Sequence, residues 1–189
     1  MPVRIETYST ENGCFLNVLE KVSIDRGQII YGWKIHHSPF LEEAERHAIW
    51  SSPNGELVDI TPNLTDADEI LFLEEDKGWV YDQGFYDNVR VNITDNPVVD
   101  DLILLKETAT KLWQTSTRKS KTIVTVSWPV GKAIEYLNAL EVATRMFIYS
   151  NNNEDSNCHC GRPMSYKNCH GLDLKSELEE LLKRVCTSE

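Results

Sequence analysis

Three widely separated residues, Cys14, His47 and Asp59, are of the types that together could form a cysteine nucleophile and its proton relay. A thiol attacks carbonyl carbon when a neighbouring imidazole takes its proton and a carboxylate orients the imidazole. Cys14 opens the stretch Cys14-Phe15-Leu16-Asn17-Val18-Leu19-Glu20-Lys21-Val22, whose apolar positions 15, 18, 19 and 22 fall on one helical stripe. Asn12 and Gly13 are suitable helix-start residues ahead of it. The first turn of a helix presents unpaired amides and the positive end of the dipole, which favour a thiolate and can hold an oxyanion. A second constellation is more compact. Cys158, Cys160, Cys169 and His170 place four soft or borderline donors within thirteen residues, the Cys₃His set that holds zinc tetrahedrally. Gly161 and Pro163 let the chain turn between the two ligand pairs, and His159 is an alternative to His170. The segment has few large apolar residues, so a metal would supply most of its folding energy. Four protein ligands leave no position for substrate, which makes the expected zinc structural.

His47 and Asp59 need a hairpin to bring them together. Strand-like runs over 44–50 and 56–60 flank Ser51-Ser52-Pro53-Asn54-Gly55, which is hairpin chemistry. A three-residue loop, Pro53-Asn54-Gly55, pairs Ser52 with Glu56, Ile49 with Asp59 and His47 with Thr61. It puts His47 and Asp59 on one face as diagonal neighbours. A two-residue Asn54-Gly55 loop slips the register by one and turns Asp59 to the opposite face. Further strands are expected over 28–35 and 69–73, then long loops with one short strand over 76–97. After Pro97 the apolar period becomes helical over 98–113 and 133–149, and a terminal amphipathic helix runs over 172–185. The polar run 151–156 is the best domain boundary, separating a 1–150 domain from a 151–189 module. The fold class that follows is α+β: a small antiparallel sheet, an N-terminal helix carrying Cys14, further helices, and a zinc-stapled tail.

The segments Cys158-x-Cys160-Gly161 and Tyr166-Lys167-x-Cys169-His170-Gly171 resemble the SEC-C motif, a zinc module found at the tail of the bacterial protein-translocation ATPase and in many other bacterial proteins. The departures, Arg162-Pro163-Met164, spare the ligands. The resemblance implies Cys158, Cys160, Cys169 and His170 as ligands and a role in protein contacts. The order of Cys at a helix start, His on a strand and Asp on the next strand resembles the papain-like and transglutaminase-like superfamily. His47-Ala48-x-Trp50 and Val58-Asp59-x-Thr61-Pro62 look like the strand pair that carries His and Asp in transglutaminase-type enzymes. That resemblance spans about residues 12–62 and implies a peptidase, amidase, deamidase or transglutaminase working through a thioester. Its departures are a short segment before Cys14, leaving Asn12 or Asn17 as candidate oxyanion donors, and the lack of Trp directly after Cys14.

Composition limits the alternatives. The chain has 189 residues, enough for one ordinary domain with an appendage, and 41% of them are hydrophobic, a globular profile. A formal net charge of −11 argues against a nucleic-acid partner and against a zinc-dependent nucleic-acid module. Arg118, Lys119 and Lys121 read as a solvated loop. No apolar run approaches the roughly 20 residues needed to cross a bilayer, and the first residues lack a signal-peptide stretch. Five cysteines, an odd number with three crowded together, suit a reducing cytoplasm rather than a disulfide framework. The expected substrate is a protein or peptide, and the zinc module implies a protein partner. The competing reading is a non-catalytic zinc adaptor, with Cys14 a small core hydrophobe and His47 and Asp59 structural. His36 and His37, adjacent on a strand, face opposite ways and read as loop or surface residues. Tyr31, Trp33, Trp50 and Trp79 are expected in the core, with the walls of a cleft as a second role.

Overall fold

A computed structural model describes residues 1–63, 67–75, 81–82 and 84–186. It is an α+β structure with four α-helices and an antiparallel sheet. The elements in chain order are α1 (Cys14–Asp25), β1 (Gln28–His37), β2 (Leu41–Ser51), β3 (Leu57–Val58), β4 (Leu71–Glu74), β5 (Val89–Asn92), α2 (Val98–Trp113), β6 (Thr117–Arg118), β7 (Val124–Thr125), α3 (Trp128–Tyr149) and α4 (Leu174–Cys186). The main sheet runs β3-β2-β1-β4, with β5 also pairing β2, and β6 and β7 form a separate ribbon. Trp79, expected in the core or a cleft wall, lies outside the described residues.

The chain divides into two compact units. The first comprises residues 1–37, 43–84 and 118–124; the second comprises 38–42, 85–117 and 125–189. In the first unit, α1 lays Val18 on Ala48, Val58 and Ile60, with Phe15, Val22, Ile29, Tyr31 and Trp50 packed around them. Trp33 is half-buried, with the Arg46 guanidinium 4.0 Å from its ring centroid. β4 pairs β1 with Lys34 opposite Phe72. The N-terminal residues brace the sheet, because Val3 bridges Asp59 in parallel and Pro2 bridges Glu69.

The hairpin register is the one a three-residue loop dictates. Trp50 pairs Val58 and Ser51 pairs Leu57, and the Ser52 N–H donates to the Glu56 carbonyl at 2.8 Å. Gly55 has φ +82°, the left-handed value the loop requires of its third residue.

The second unit is mostly helical. Leu105, Leu112, Val130, Ile134, Leu137, Leu174 and Leu178 form one core cluster. Val98, Leu102, Phe147, Tyr166 and Cys158 belong to another. Residues 151–189 fall in this unit together with α2 and α3. α3 starts at Trp128, earlier than the apolar stripe suggests, because Pro129 occupies its first turn, where a missing N–H costs nothing.

Candidate functional site

Cys14, His47 and Asp59 come together in the first unit. Asp59 follows β3 and is fully buried; its strand is pinned by the Asp59 N–H to the Pro2 carbonyl at 3.1 Å and by the Arg4 N–H to the Asp59 carbonyl at 2.8 Å. Its carboxylate is committed on both oxygens. Oδ1 accepts the Thr61 N–H at 3.0 Å, and Oδ2 accepts His47 Nε2–H at 3.0 Å. His47 is 2% exposed, and Phe72 of β4 meets its ring edge-on at 6.5 Å between centroids. Cys14, the first residue of α1, is 6% exposed. Burial thus deepens from sulfur to imidazole to carboxylate.

The electrostatics of His47 reflect both neighbours. Burial alone would lower its pKa, but the Asp59 hydrogen bond and the adjoining Cys14 sulfur outweigh it and raise the pKa to about 10. With Nε2 taken by Asp59, Nδ1 is the ring nitrogen left over. It is buried and has no hydrogen bond of regular geometry among the described residues. The ring can therefore hold a proton at Nε2 against the carboxylate while Nδ1 exchanges one with sulfur.

Asn17, a candidate oxyanion donor, has another task. Fully buried, it donates Nδ2–H to the Thr10 carbonyl at 2.9 Å and the Thr61 hydroxyl at 3.1 Å, while its Oδ1 accepts the Thr10 N–H at 3.0 Å. Its amide ties the Cys14 helix to the segment before it and to the residue bonded by Asp59. Gly13 is needed because Thr10 comes close: a Cβ there would meet Thr10 Oγ1 at 2.6 Å. Asn12 sits in a left-handed turn, φ 55°, just ahead.

Sequence reasoning missed Tyr81, which feels Cys14, and Arg118 beside Tyr81. Tyr81 stacks on Phe15 at 4.3 Å. Burial pushes its phenol pKa up, Arg118 pulls it down, and Cys14 pushes it up again. Tyr81 stands alone in the sequence without a periodic or motif signal, and Arg118 sits in a basic cluster that reads as solvated. That cluster is also not simply solvated. Lys121 Nζ donates to the Tyr8 carbonyl at 2.8 Å and pairs with Glu20 at 2.9 Å. His36 and His37 end β1 and are exposed, with His36 Nε2 2.9 Å from Glu45.

The second constellation forms in the second unit. The donor atoms of Cys158, Cys160, Cys169 and His170 all lie within 4.8 Å of one another. Cys158 Sγ is 3.1 Å from His170 Nδ1, Cys160 Sγ is 3.5 Å from Cys169 Sγ, and Cys169 Sγ is 3.6 Å from His170 Nδ1. With Zn–S near 2.3 Å and Zn–N near 2.0 Å, tetrahedral edges come to roughly 3.5–3.8 Å. The four residues therefore fit a metal ion. Desolvation and the nearby Cys160 and Cys158 sulfurs push the Cys169 thiol up to about 11, since crowded sulfurs resist charging without a cation between them. His159 stands outside the cluster, its ring 4.5 Å from His170.

Two glycines shape this loop. Gly161 has φ +80°, and a Cβ on Gly171 would strike the Tyr166 ring at 2.8 Å. Tyr166 is the anchor: 1% exposed, it stacks on Phe147 of α3 at 5.5 Å. No protein-family model, curated protein or solved structure matches this chain.

Proposed function

We propose that the protein is a cysteine-dependent hydrolase or acyl transferase of the papain-like or transglutaminase-like kind, acting on a protein or peptide. One observation carries this reading: the His47 ring bonds Asp59 at 3.0 Å through Nε2 and turns its remaining nitrogen loose beside Cys14. In this reading Cys14 Sγ attacks an amide carbonyl carbon, and the carbon–oxygen π pair moves onto oxygen. The Cys14 backbone N–H, at the first position of α1, faces that developing charge. Tyr81, stacked on Phe15 near the same end of the helix, has Arg118 beside it. The His47 imidazolium, which holds the former thiol proton, gives it to the departing amine nitrogen as the C–N bond breaks. The resulting thioester is opened by water or a second amine, whose proton His47 accepts and returns to sulfur.

The metal site is read as a structural zinc of the SEC-C kind, because three sulfurs and one imidazole are the donor set zinc prefers and they leave no open position. Zinc would hold the 158–170 loop closed; the module would serve a protein partner.

The test is alkylation with iodoacetamide near pH 6 followed by peptide mass spectrometry. Cys14 is expected to label at least tenfold faster than Cys186, and His47→Gln to abolish that advantage. Equal or slower labelling of Cys14 returns the chain to the non-catalytic adaptor reading.

A further inference from the structure

β1 brings a buried cation to the same carboxylate that His47 uses. Lys34 is 8% exposed, and its Nζ lies 4.0 Å from Asp59 Oδ2, the oxygen that also accepts His47 Nε2–H. An ammonium removed from water needs a counter-charge, and a fully buried carboxylate needs one equally. Lys34 and His47 therefore share one anionic oxygen and stand no more than about 7 Å apart through it.

The surrounding charges are few. β2 contributes Glu45 and His47, α1 contributes Cys14, Lys34's own strand contributes His36, and Asp59 follows β3. On the β4 side the residue opposite Lys34 is Phe72, which is apolar and packs against His47. Glu45 stays ionised: burial raises its pKa, but the His36 hydrogen bond and the His47, His36 and Lys34 charges more than reverse that. Two carboxylates thus balance Lys34 and a protonated His47. A second cation at the shared oxygen gives the buried Asp59 carboxylate another counter-charge. It also weakens the hold of that carboxylate on the imidazole proton, since like charges oppose one another.

We propose that Lys34 is a positioning residue of the Cys14–His47–Asp59 site, fixing the Asp59 carboxylate and limiting how tightly His47 keeps its proton. This rests on the catalytic reading above and adds to it. An imidazole clamped by an unshared carboxylate would release its proton to the leaving amine only reluctantly. Lys34 sets the balance without touching substrate.

Ring-nitrogen NMR of His47 in the full-length protein, titrated from pH 6 to 11, tests the role. Removing the charge in Lys34→Met is expected to raise the His47 midpoint by roughly one unit, the low end of what an adjacent charge does. Lys34→Arg is expected to restore the parent midpoint. Should Lys34→Met not fold, Lys34→Gln removes the same charge while keeping a donor. An unshifted His47 midpoint in the neutral variant overturns the role of Lys34. Iodoacetamide labelling of parent Cys14 in the same samples separates the two claims: an inert Cys14 overturns the catalytic reading, and a reactive Cys14 with an unmoved His47 overturns this inference alone.

Discussion

At the scale of single residues, the decisive property is the proton on His47. Its raised pKa is a statement about stability as well as chemistry. The folded value of about 10 exceeds the ordinary 6.5, so the native state binds that proton more tightly than the unfolded chain does. The stabilisation is complete below about pH 6.5 and is lost as pH rises through about 10. Urea unfolding of parent and His47→Gln between pH 6 and 10 is expected to show stability falling with pH in the parent, with that slope reduced in the variant. Cys14 and Asp59 were found in the sequence by type and order. Tyr81 and Lys34 were not, because a lone Tyr in a loop and a Lys in an Ile- and Trp-rich strand look like ordinary surface residues until the strands are paired.

At the scale of elements, the site depends on how α1 is held. Asn17 makes three hydrogen bonds from a fully buried position, to both backbone groups of Thr10 and to Thr61. Asn17→Ala removes all of them, including the side-chain partner of the Thr10 N–H, so it is expected to cost about 2–3 kcal/mol by urea unfolding. It should also slow Cys14 labelling, whereas a change at an exposed helix position such as Leu19→Ala should do neither. The hairpin shows how far local chemistry reaches. Pro53-Asn54-Gly55 was compatible with two registers, and only the observed pairing of Trp50 with Val58 puts His47 and Asp59 on one face. The helix at 98–113 was legible residue for residue, since its apolar stripe and the Pro before it mark both face and start. Strand ends were not. β2 begins at Leu41 and β3 is only two residues long, because pairing partners rather than composition set where a ladder stops.

At the scale of the whole molecule, no described helix is long and apolar enough to cross a membrane. The formal charge of −11 remains unfavourable for phosphate backbones. The second unit carries the Cys₃His cluster against its own core, through Cys158 and Tyr166 packed with Phe147 and Leu102. Metal removal is therefore expected to loosen that unit. Native mass spectrometry should show one zinc per chain, lost with Cys160→Ser or with a strong chelator. The melting temperature should then fall by several degrees, and a chain that melts identically with and without chelator would count against a structural metal.

The sequence by itself determined the Cys158, Cys160, Cys169 and His170 set that could hold a metal ion, the helical periods and the α+β class, because each is written in residue type and local spacing. Tertiary structure alone decided that sulfur, imidazole and carboxylate meet, and that Lys34 and Tyr81 stand beside them. The reason is physical: a strand turns successive side chains to opposite faces, so the neighbours of Asp59 depend on register and on strands distant in the chain.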